Sequence, residues 1–231
     1  MRIGIIFGGP SREREISFAG GRTIYDNLNK ELFEAVPIFV DSNKKFILLD
    51  WEYVYKGTIR DFYPPLKSIT DSKHKFQIYI ESLGDISKEK YNEIISSVGK
   101  EIEPSEFSEY FDFAFLALHG HFGEDGVVQG LLELLNMPYS GSGIFPCTVG
   151  INKHLQKKLM INAGFDTPEF NYMTFESWRN FTQKEKKDKF SAIIEEISLP
   201  FVIKPANQGS SLGVSVIEDN NFSQFSRMVE K

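Results

Sequence analysis

The sequence predicts an α/β chain, with a doubly wound domain over residues 1–140 followed by a smaller α+β domain over residues 141–231. In the first part, short apolar runs alternate with stretches of helical spacing, which is typical of a parallel sheet covered by helices on both faces. In the second part, two successive strands are joined by a glycine-rich loop, so the elements come in a different order. Residues 141–143 (GSG) mark the predicted boundary.

The first domain opens with a buried strand over residues 3–7 and a tight turn over residues 8–11. A helix over residues 13–27 follows, and we predict that its apolar face consists of Ile16, Ala19, Ile24 and Leu28. Two further strands, over residues 35–40 and 113–118, each end at turn residues. These elements account for the predicted parallel sheet.

The stretch 44–108 is interpreted as an insertion in the first domain, with strand-like pieces at residues 46–49 and 76–80. In the second domain we predict helices over residues 152–163 and 190–197, and strands over 200–203 and 214–217. The charge run 184–189 (KEKKDK) is interpreted as a solvated helix face or loop.

Composition excludes several classes of protein. The 231 residues carry a formal net charge of −6, so no basic patch favours nucleic acid, although a small anionic nucleotide stays possible. Cys147 is the only cysteine, which rules out an internal disulfide. No stretch approaches the ~20 consecutive apolar residues of a membrane span. We therefore expect a cytoplasmic protein with no membrane partner.

Two loops at predicted strand ends could bind a ligand. The segment 11–15 (SRERE) carries four charges at the start of a helix, shortly after the pair Gly8 and Gly9. Open α/β sheets bind ligands at this position. One carboxylate there could hold an ammonium group, although a plain strand-to-helix turn is the alternative. Residues 119–126 (HGHFGEDG) follow another strand, and their glycines favour a tightly folded substrate loop. A metal site and a purely structural turn are the alternatives, and the spacing is unlike that of zinc ligands.

A third group of residues lies in the second domain. Lys204, predicted on a strand, precedes the loop 209–213 (GSSLG), which is the reverse of the order in a phosphate-binding P-loop. The arrangement is closer to that of protein kinases, in which loop amides cover the phosphates and a strand lysine neutralises them. Lys153 stands at the start of a helix. A surface turn and a surface lysine are the alternatives for these two features.

Four separated segments then fall in one order: 7–17 (FGGPSREREIS), 119–130 (HGHFGEDGVVQG), 139–143 (YSGSG) and 202–213 (VIKPANQGSSLG). Together they resemble the D-alanine-D-alanine ligases of the ATP-grasp superfamily, over nearly the whole chain outside residues 44–108. The resemblance implies a Rossmann-like, pre-ATP-grasp first domain and a first ATP-grasp subdomain over residues 141–231. Ligases that make D-alanyl-D-lactate or D-alanyl-D-serine share these segments and stay open as alternatives. Another ATP-grasp carboxylate-amine ligase and a non-catalytic nucleotide-binding form stay open too.

The resemblance also implies a reaction and a set of residues. ATP would phosphorylate the carboxylate of a first D-alanine, and the amine of a second would attack the acyl phosphate. Glu13 matches the family acid that holds the first ammonium group, and Ser210, from the other domain, matches its hydrogen-bonded partner. His119 matches the histidine near the substrates. The residues that match nucleotide-binding positions are Lys153, Lys204, Ser210, Ser211, Leu212 and Gly213.

Further expectations follow from the same resemblance. The magnesium ligands, the adenine-binding hinge and the lid that selects the second substrate would follow Lys231, with the C-terminal ATP-grasp subdomain, so no metal ligand is assigned within this chain. We expect no ligase activity from this chain alone. Family members are commonly dimers through the first domain, which implies a homodimer.

Overall fold

The computed structural model describes residues 1–56, 87–211 and 213–230. The chain divides into two compact units, Met1–Thr148 and Val149–Lys231. The strand-like piece predicted at residues 76–80 and the predicted site residue Leu212 lie outside the described residues. Within the described residues, no helix has both the length and the apolar character required to cross a membrane.

The first unit is built on a five-stranded sheet. Its strands are β1 (Arg2–Gly8), β2 (Glu34–Val40), β3 (Phe46–Leu49), β4 (Gly99–Ile102) and β5 (Phe113–Leu116), arranged in the order β4-β3-β2-β1-β5. β1 pairs in parallel with β2 and β5, whereas β3 is antiparallel to both β2 and β4. The prediction of a parallel sheet was therefore wrong, because the sheet is mixed.

A tight turn explains why β3 reverses direction. The Asp41 carboxylate accepts hydrogen bonds from the main-chain N–H groups of Asn43 and Lys45, each at 2.8 Å. The Asp41 N–H in turn donates to the Lys45 carbonyl at 3.0 Å. An aspartate that bonds to N–H groups further along the chain stabilises a turn, and a turn this short can join only antiparallel strands. Both β3 and β4 come from the stretch 44–108 and extend the sheet.

Helices pack on both faces of this sheet. They are α1 (Arg14–Asn27), α2 (Glu52–Lys56), α3 (Lys88–Val98), α4 (Phe107–Tyr110) and α5 (Val127–Leu134). A 3₁₀ turn (Pro104–Glu106) precedes α4, and α6 (Ile144–Ile151) spans the boundary between the two units. Residues along a strand alternate between faces, so Ile5 and Phe7 join a core beneath α1 and α3, while Ile6 joins a second core beneath α4 and α5. The first unit therefore has two buried layers, one on each side of the sheet.

The buried face of α1 differs from the predicted one. Ile16 is 59% exposed, whereas Ser17 and Gly21 are buried. A Cβ on Gly21 would lie 2.5 Å from the Phe7 ring, so the helix approaches β1 through its smallest residue. The predicted face is therefore confirmed at Ile24 and Leu28, which pack against the core, and wrong at Ile16 and Ala19, which are exposed.

The second unit contains a two-stranded antiparallel sheet, β6 (Phe201–Ile203) and β7 (Ser215–Ile217), at the positions predicted for its strands. Its helices are α7 (Lys153–Asn162), α8 (Phe175–Asn180), α9 (Gln183–Ile197) and α10 (Phe222–Val229). One core joins them: Trp178, Phe190, Ile193, Phe201, Ile217 and Phe225.

Helix α9 begins seven residues earlier than predicted and contains the whole charge run 184–189. The Thr182 hydroxyl accepts from the Glu185 N–H, and the Glu185 carboxylate accepts from the Thr182 N–H, which forms a capping box. Lys186 within the run is only 9% exposed, and its ammonium group lies 4.8 Å from the Trp178 ring centroid. The interpretation of this run as a fully solvated face was wrong at Lys186, whose aliphatic stem packs with the core.

Candidate active site

The predicted residues of the first unit lie at one edge of the sheet. β1 and β5 are parallel neighbours, so the loops that follow them leave the sheet at the same carboxyl edge. Gly8 and Gly9 adopt φ angles of 94° and 92°, and a Cβ on Gly8 would lie 2.5 Å from the Val40 carbonyl oxygen. Only glycine fits the turn that carries the chain from β1 towards α1.

Ser17 joins the two loops at this edge. Its hydroxyl accepts from the Gly8 N–H at 2.8 Å and donates to the Ala117 carbonyl at 2.7 Å. The side chain is fully buried, so both bonds are shielded from water. One buried hydroxyl thus fixes the end of β1 relative to the segment that leads into residues 119–126.

Glu13 lies against the histidine loop. Its N–H donates to the Ser11 hydroxyl at 3.1 Å, directly before α1 begins. A Cβ on Gly120 would lie 2.8 Å from Glu13 Oε2, so the carboxylate packs against this glycine. The structure therefore brings together Glu13 and the loop of His119, which are more than one hundred positions apart in the sequence.

Glu124 holds the beginning of this loop, although the sequence alone assigned it no role. Its Oε2 accepts from the Gly120 N–H at 2.7 Å, and its Oε1 lies 3.8 Å from His119 Nδ1. Gln129, buried at the start of α5, donates to the Gly123 carbonyl at 2.8 Å. The signal for both residues was their place in the segments 119–126 and 129–130, but no periodicity indicates which atoms they bind.

In the second unit, the start of α7 is bonded to the loop between β6 and β7. Asn152 caps the helix by accepting from the Leu155 N–H at 3.1 Å. The next residue, Lys153, donates its N–H to the Ala206 carbonyl at 2.8 Å and its ammonium group to the Gln208 carbonyl at 2.5 Å. The predicted helix start at Lys153 is confirmed, and the lysine is joined to the glycine-containing loop.

Lys204 directly follows β6, which ends at Ile203, so the prediction that it lies on the strand was wrong by one position. Its positive charge acts on Lys157, a lysine of α7. The pKa of Lys157 is lowered, first by burial and then by the charge of Lys204. The Lys157 ammonium group donates to the Pro168 carbonyl at 2.7 Å. Positive charges from the loop and from α7 are therefore close enough to repel each other, and an anion between them would relieve that repulsion.

The rest of the glycine-containing loop is exposed and tightly turned. Ser210 and Gly213 both have left-handed backbone angles, with φ of 55° and 71°. A Cβ on Gly213 would lie 2.8 Å from the Pro205 ring, so this position requires glycine. Ser210 and Ser211 are exposed next to these turns. Small side chains and left-handed backbone angles of this kind let backbone amides approach phosphate oxygens closely.

Across the described ranges 1–56, 87–211 and 213–230, no group of three or more His, Cys, Asp and Glu side chains is placed to hold a metal ion. The carboxylates of Glu124 and Asp125 are instead bonded to loop N–H groups.

Family models match both parts of the chain. The model of the D-ala D-ala ligase N-terminus matches residues 2–142, and that of the D-ala D-ala ligase C-terminus matches residues 159–231. D-alanine–D-alanine ligases of Natranaerobius thermophilus and Caldicellulosiruptor bescii are 32% and 35% identical over 220 residues, or 95% of this chain. The matched region is 53% and 54% of those proteins, so the chain spans about half the length of the curated relatives it matches.

Solved structures share the fold. The D-alanine-D-alanine ligase from Coxiella burnetii aligns over 100% of this chain and 59% of its own, with a TM-score of 0.70 and 20% identity. The VanG D-Ala:D-Ser ligase from Enterococcus faecalis aligns over 99% of this chain and 58% of its own, with a TM-score of 0.62 and 22% identity. Since the N-terminal family model alone covers more than half of its residues, the chain belongs to the D-alanine–D-alanine ligase family.

Proposed function

We propose that this chain provides the first-substrate site and the phosphate-binding lysines of an ATP-dependent ligase that joins two D-alanines for peptidoglycan synthesis. The names of the curated relatives support the reaction. The observation that carries the assignment to a site is the Glu13 carboxylate packed against Gly120, next to His119 and Glu124. These residues lie at the edge of the sheet where α/β proteins bind ligands.

Glu13 has the chemistry required for an amino-acid substrate. Its carboxylate can accept charge-assisted hydrogen bonds from an ammonium group, which are about twice as strong as neutral ones. Gly120 has no side chain, so the carboxylate can pack directly against the loop that carries His119. His119 directly precedes Gly120, and its Nδ1 lies 3.8 Å from Glu124 Oε1. We assign the ammonium group of the first D-alanine to Glu13 and a position near its carboxylate to His119.

The second unit supplies charge for phosphates. Lys153 and Lys204 are assigned to the ATP phosphates, together with the loop residues Ser210, Ser211 and Gly213. Lysine ammonium groups and loop amides neutralise the charge of a transferred phosphoryl group, and catalysis then depends mainly on positioning. The phosphoryl group would pass from ATP to the first carboxylate, and the second amine would displace phosphate to form the peptide bond. No protein nucleophile takes part.

We propose five further assignments from the family resemblance. These are the assignment of residues 141–231 to the first ATP-grasp subdomain, a domain boundary near Gly141, Ser210 as the partner of Glu13 in binding, a cytoplasmic homodimer, and magnesium held by residues outside those described. The solved D-Ala:D-Ser ligase shares the fold. D-Alanine as the second substrate therefore depends on the curated relatives and not on the fold.

The test is stereoselective binding. The 231-residue chain is titrated with D-alanine and with L-alanine, and amide NMR shifts are followed at Gly120 and its neighbours. We expect saturable shifts with D-alanine only, confined to the loops after β1 and β5. ATP is titrated separately, and shifts are expected around Lys153 and the loop 204–211. Equal responses to D-alanine and L-alanine, or D-alanine shifts elsewhere in the chain, would contradict the proposal.

A further inference from the structure

His121 forms a close pair with an acid that the proposed function does not use. Its Nδ1 lies 2.5 Å from Asp125 Oδ2. The histidine side chain is 63% exposed, whereas that of Asp125 is only 16% exposed. The acid is therefore built into the loop, and the histidine covers it from the solvent side.

Asp125 is the main anchor of this loop. Its Oδ2 also accepts from the Phe122 N–H at 2.8 Å, and its Oδ1 accepts from the Val127 N–H at 3.2 Å, at the start of α5. Its carbonyl accepts from the Thr148 hydroxyl at 3.0 Å. Because one carboxylate oxygen serves both His121 and Phe122, a change at the histidine acts directly on the bond to the Phe122 backbone.

That backbone is strained. Phe122 has a φ of 75°, in the left-handed region that bulky residues rarely occupy. Its ring is 5% exposed and packs with the core that contains Phe46. Such a conformation costs on the order of 1–3 kcal/mol and persists only where the surroundings determine it. Here the buried ring fixes one side of the residue and Asp125 fixes its N–H group.

The strained residue lies next to the proposed site. Gly120, which packs against Glu13, is two positions before Phe122. Gly123 is also closely packed, since a Cβ there would lie 2.5 Å from the Leu118 side chain. Because Gly123 is held on the far side of Phe122, a change in the Phe122 backbone is passed back along the chain to Gly120 and His119, and it alters the contact of Gly120 with Glu13.

We infer that His121 is a positioning residue for the first-substrate site, and that it acts through Asp125 and the left-handed Phe122. The inference builds on the proposed function, because the site that is positioned is the one assigned to the first D-alanine. His121 itself does not touch the substrate. It keeps the Asp125 carboxylate oriented so that Gly120 and His119 hold their places beside Glu13.

The contact makes a specific demand on the histidine ring. A hydrogen bond from the ring to Asp125 requires a proton on Nδ1, the nitrogen that lies 2.5 Å from Asp125 Oδ2. Two substitutions separate this contact from the presence of a polar side chain. His121→Asn places an amide donor near the position of Nδ1, whereas His121→Gln places its donor near the position of Nε2, away from Asp125. Asp125→Asn removes the charge from the other side.

The experiment begins without ligand. Long-range ¹H–¹⁵N spectra of the histidine rings report the protonated nitrogen, and amide spectra report the loop. We expect the proton on Nδ1 of His121 in the wild-type chain. His121→Gln and Asp125→Asn should both shift the His119 ring signals and the Gly120 amide, and His121→Asn should restore them. Unchanged His119 and Gly120 signals in His121→Gln would overturn the inference, as would equal effects of the Asn and Gln substitutions.

D-Alanine is then titrated into each variant. We expect the dissociation constant to rise about three- to tenfold in His121→Gln, which is the range for losing a partly exposed charge-assisted hydrogen bond. It should stay within about twofold of wild type in His121→Asn. Equal affinities of wild type and His121→Gln would overturn the inference. Absence of any D-alanine response in the wild type counts against the proposed function instead, because the ligand-free spectra already decide the coupling within the loop.

Discussion

The ammonium group of Lys153 lies 2.5 Å from the carbonyl oxygen of Gln208, while the N–H of the same lysine donates to Ala206. One residue at the start of α7 therefore holds two positions of the loop between β6 and β7. The lysine assigned to a phosphate is already hydrogen-bonded to the loop that would cover that phosphate. A bound phosphate would have to share or replace the Gln208 carbonyl as a partner of this ammonium group.

Lys153→Met keeps most of the side-chain length and removes the charge. We expect ATP affinity to fall at least about tenfold, the usual scale for a charge-assisted contact. Amide hydrogen exchange should also become faster over residues 204–211, because the loop loses the bond from the ammonium group to Gln208 and keeps only the main-chain bond to Ala206. The matched control is Lys158→Met, an exposed lysine on the same helix. Equal nucleotide affinities of the two variants would contradict the assignment of Lys153.

Glu13→Gln tests the proposed ammonium site, since the amide keeps the shape of the side chain and loses its charge. A hydrogen bond to a charged group contributes about 1.5–3 kcal/mol, so we expect D-alanine affinity to fall about 10- to 100-fold. Stability should change little, because Glu13 lies before α1 and its side chain does not cap the helix. Glu15→Gln, in the exposed first turn of α1, is the control. If the control loses as much affinity as Glu13→Gln, the effect comes from the general negative charge of this region and not from a contact with Glu13.

Several strands of this fold could be predicted from the sequence, because a single pattern marks each of them. The strands β1, β2 and β5 are apolar runs ended by turn residues, and they formed near the predicted positions. The direction of β3 was missed because an apolar run has the same appearance in parallel and antiparallel sheets. The signal was present in Asp41 and the residues after it, which form the kind of tight turn that joins antiparallel strands.

The candidate site shows the same limit. The segments 8–17, 119–126 and 202–213 could be selected from the sequence, because glycine, charge and strand ends coincide there. The contact between Glu13 and Gly120 could not be derived from spacing, since it depends on the parallel pairing of β1 with β5. Likewise, Ser17 gave no sequence signal of its own, because a serine on a helix is usually exposed. Tertiary packing alone makes it the link between two loops.

Tyr91→Phe tests the bond between α3 and the turn after β2. The Tyr91 hydroxyl donates to Asp41 Oδ2, and Asp41 is only 3% exposed. Burial raises the pKa of Asp41, whereas the Tyr91 bond opposes that rise. Removing the hydroxyl leaves a buried acceptor without this partner, so we expect a loss of about 1–3 kcal/mol in the free energy of unfolding of the first unit.

Chemical denaturation measures that loss, and Tyr110→Phe is the control, because the Tyr110 hydroxyl bonds Lys100 at an exposed position. The control should change stability by less than about 0.5 kcal/mol, as is usual for surface substitutions. Equal stability of the Tyr91→Phe variant and the wild type would show that the turn after β2 holds Asp41 without the hydroxyl.

Glu230→Gln tests the contact that holds α10 in the second unit. Glu230 Oε1 accepts from the indole N–H of Trp178 at 3.1 Å, from the Lys186 ammonium group at 3.3 Å and from the Ser226 hydroxyl at 3.2 Å. These contacts, led by the Trp178 bond and followed by Lys186, lower the pKa of Glu230 below its ordinary 4.5. The folded chain therefore binds this proton more weakly than the unfolded chain does.

The sign of the pH dependence follows from that difference. An acid whose pKa is lowered on folding adds stability above its unfolded value, and the contribution is lost as the pH falls through the lowered value. We therefore expect Glu230→Gln to reduce the melting temperature of the second unit most near pH 7. The gap from wild type should narrow below about pH 4.5, the ordinary value for this group.

Thermal unfolding followed by the fluorescence of Trp178, which is fully buried, measures this gap. Trp51, the other tryptophan, is replaced by phenylalanine in every variant so that the signal comes from the second unit alone. Glu195→Gln, exposed on α9, is the control, and its difference from wild type should not depend on pH in the same way. A Glu230→Gln gap that stays constant from pH 7 to pH 3 would mean that the Trp178 and Lys186 contacts do not depend on the charge of the carboxylate.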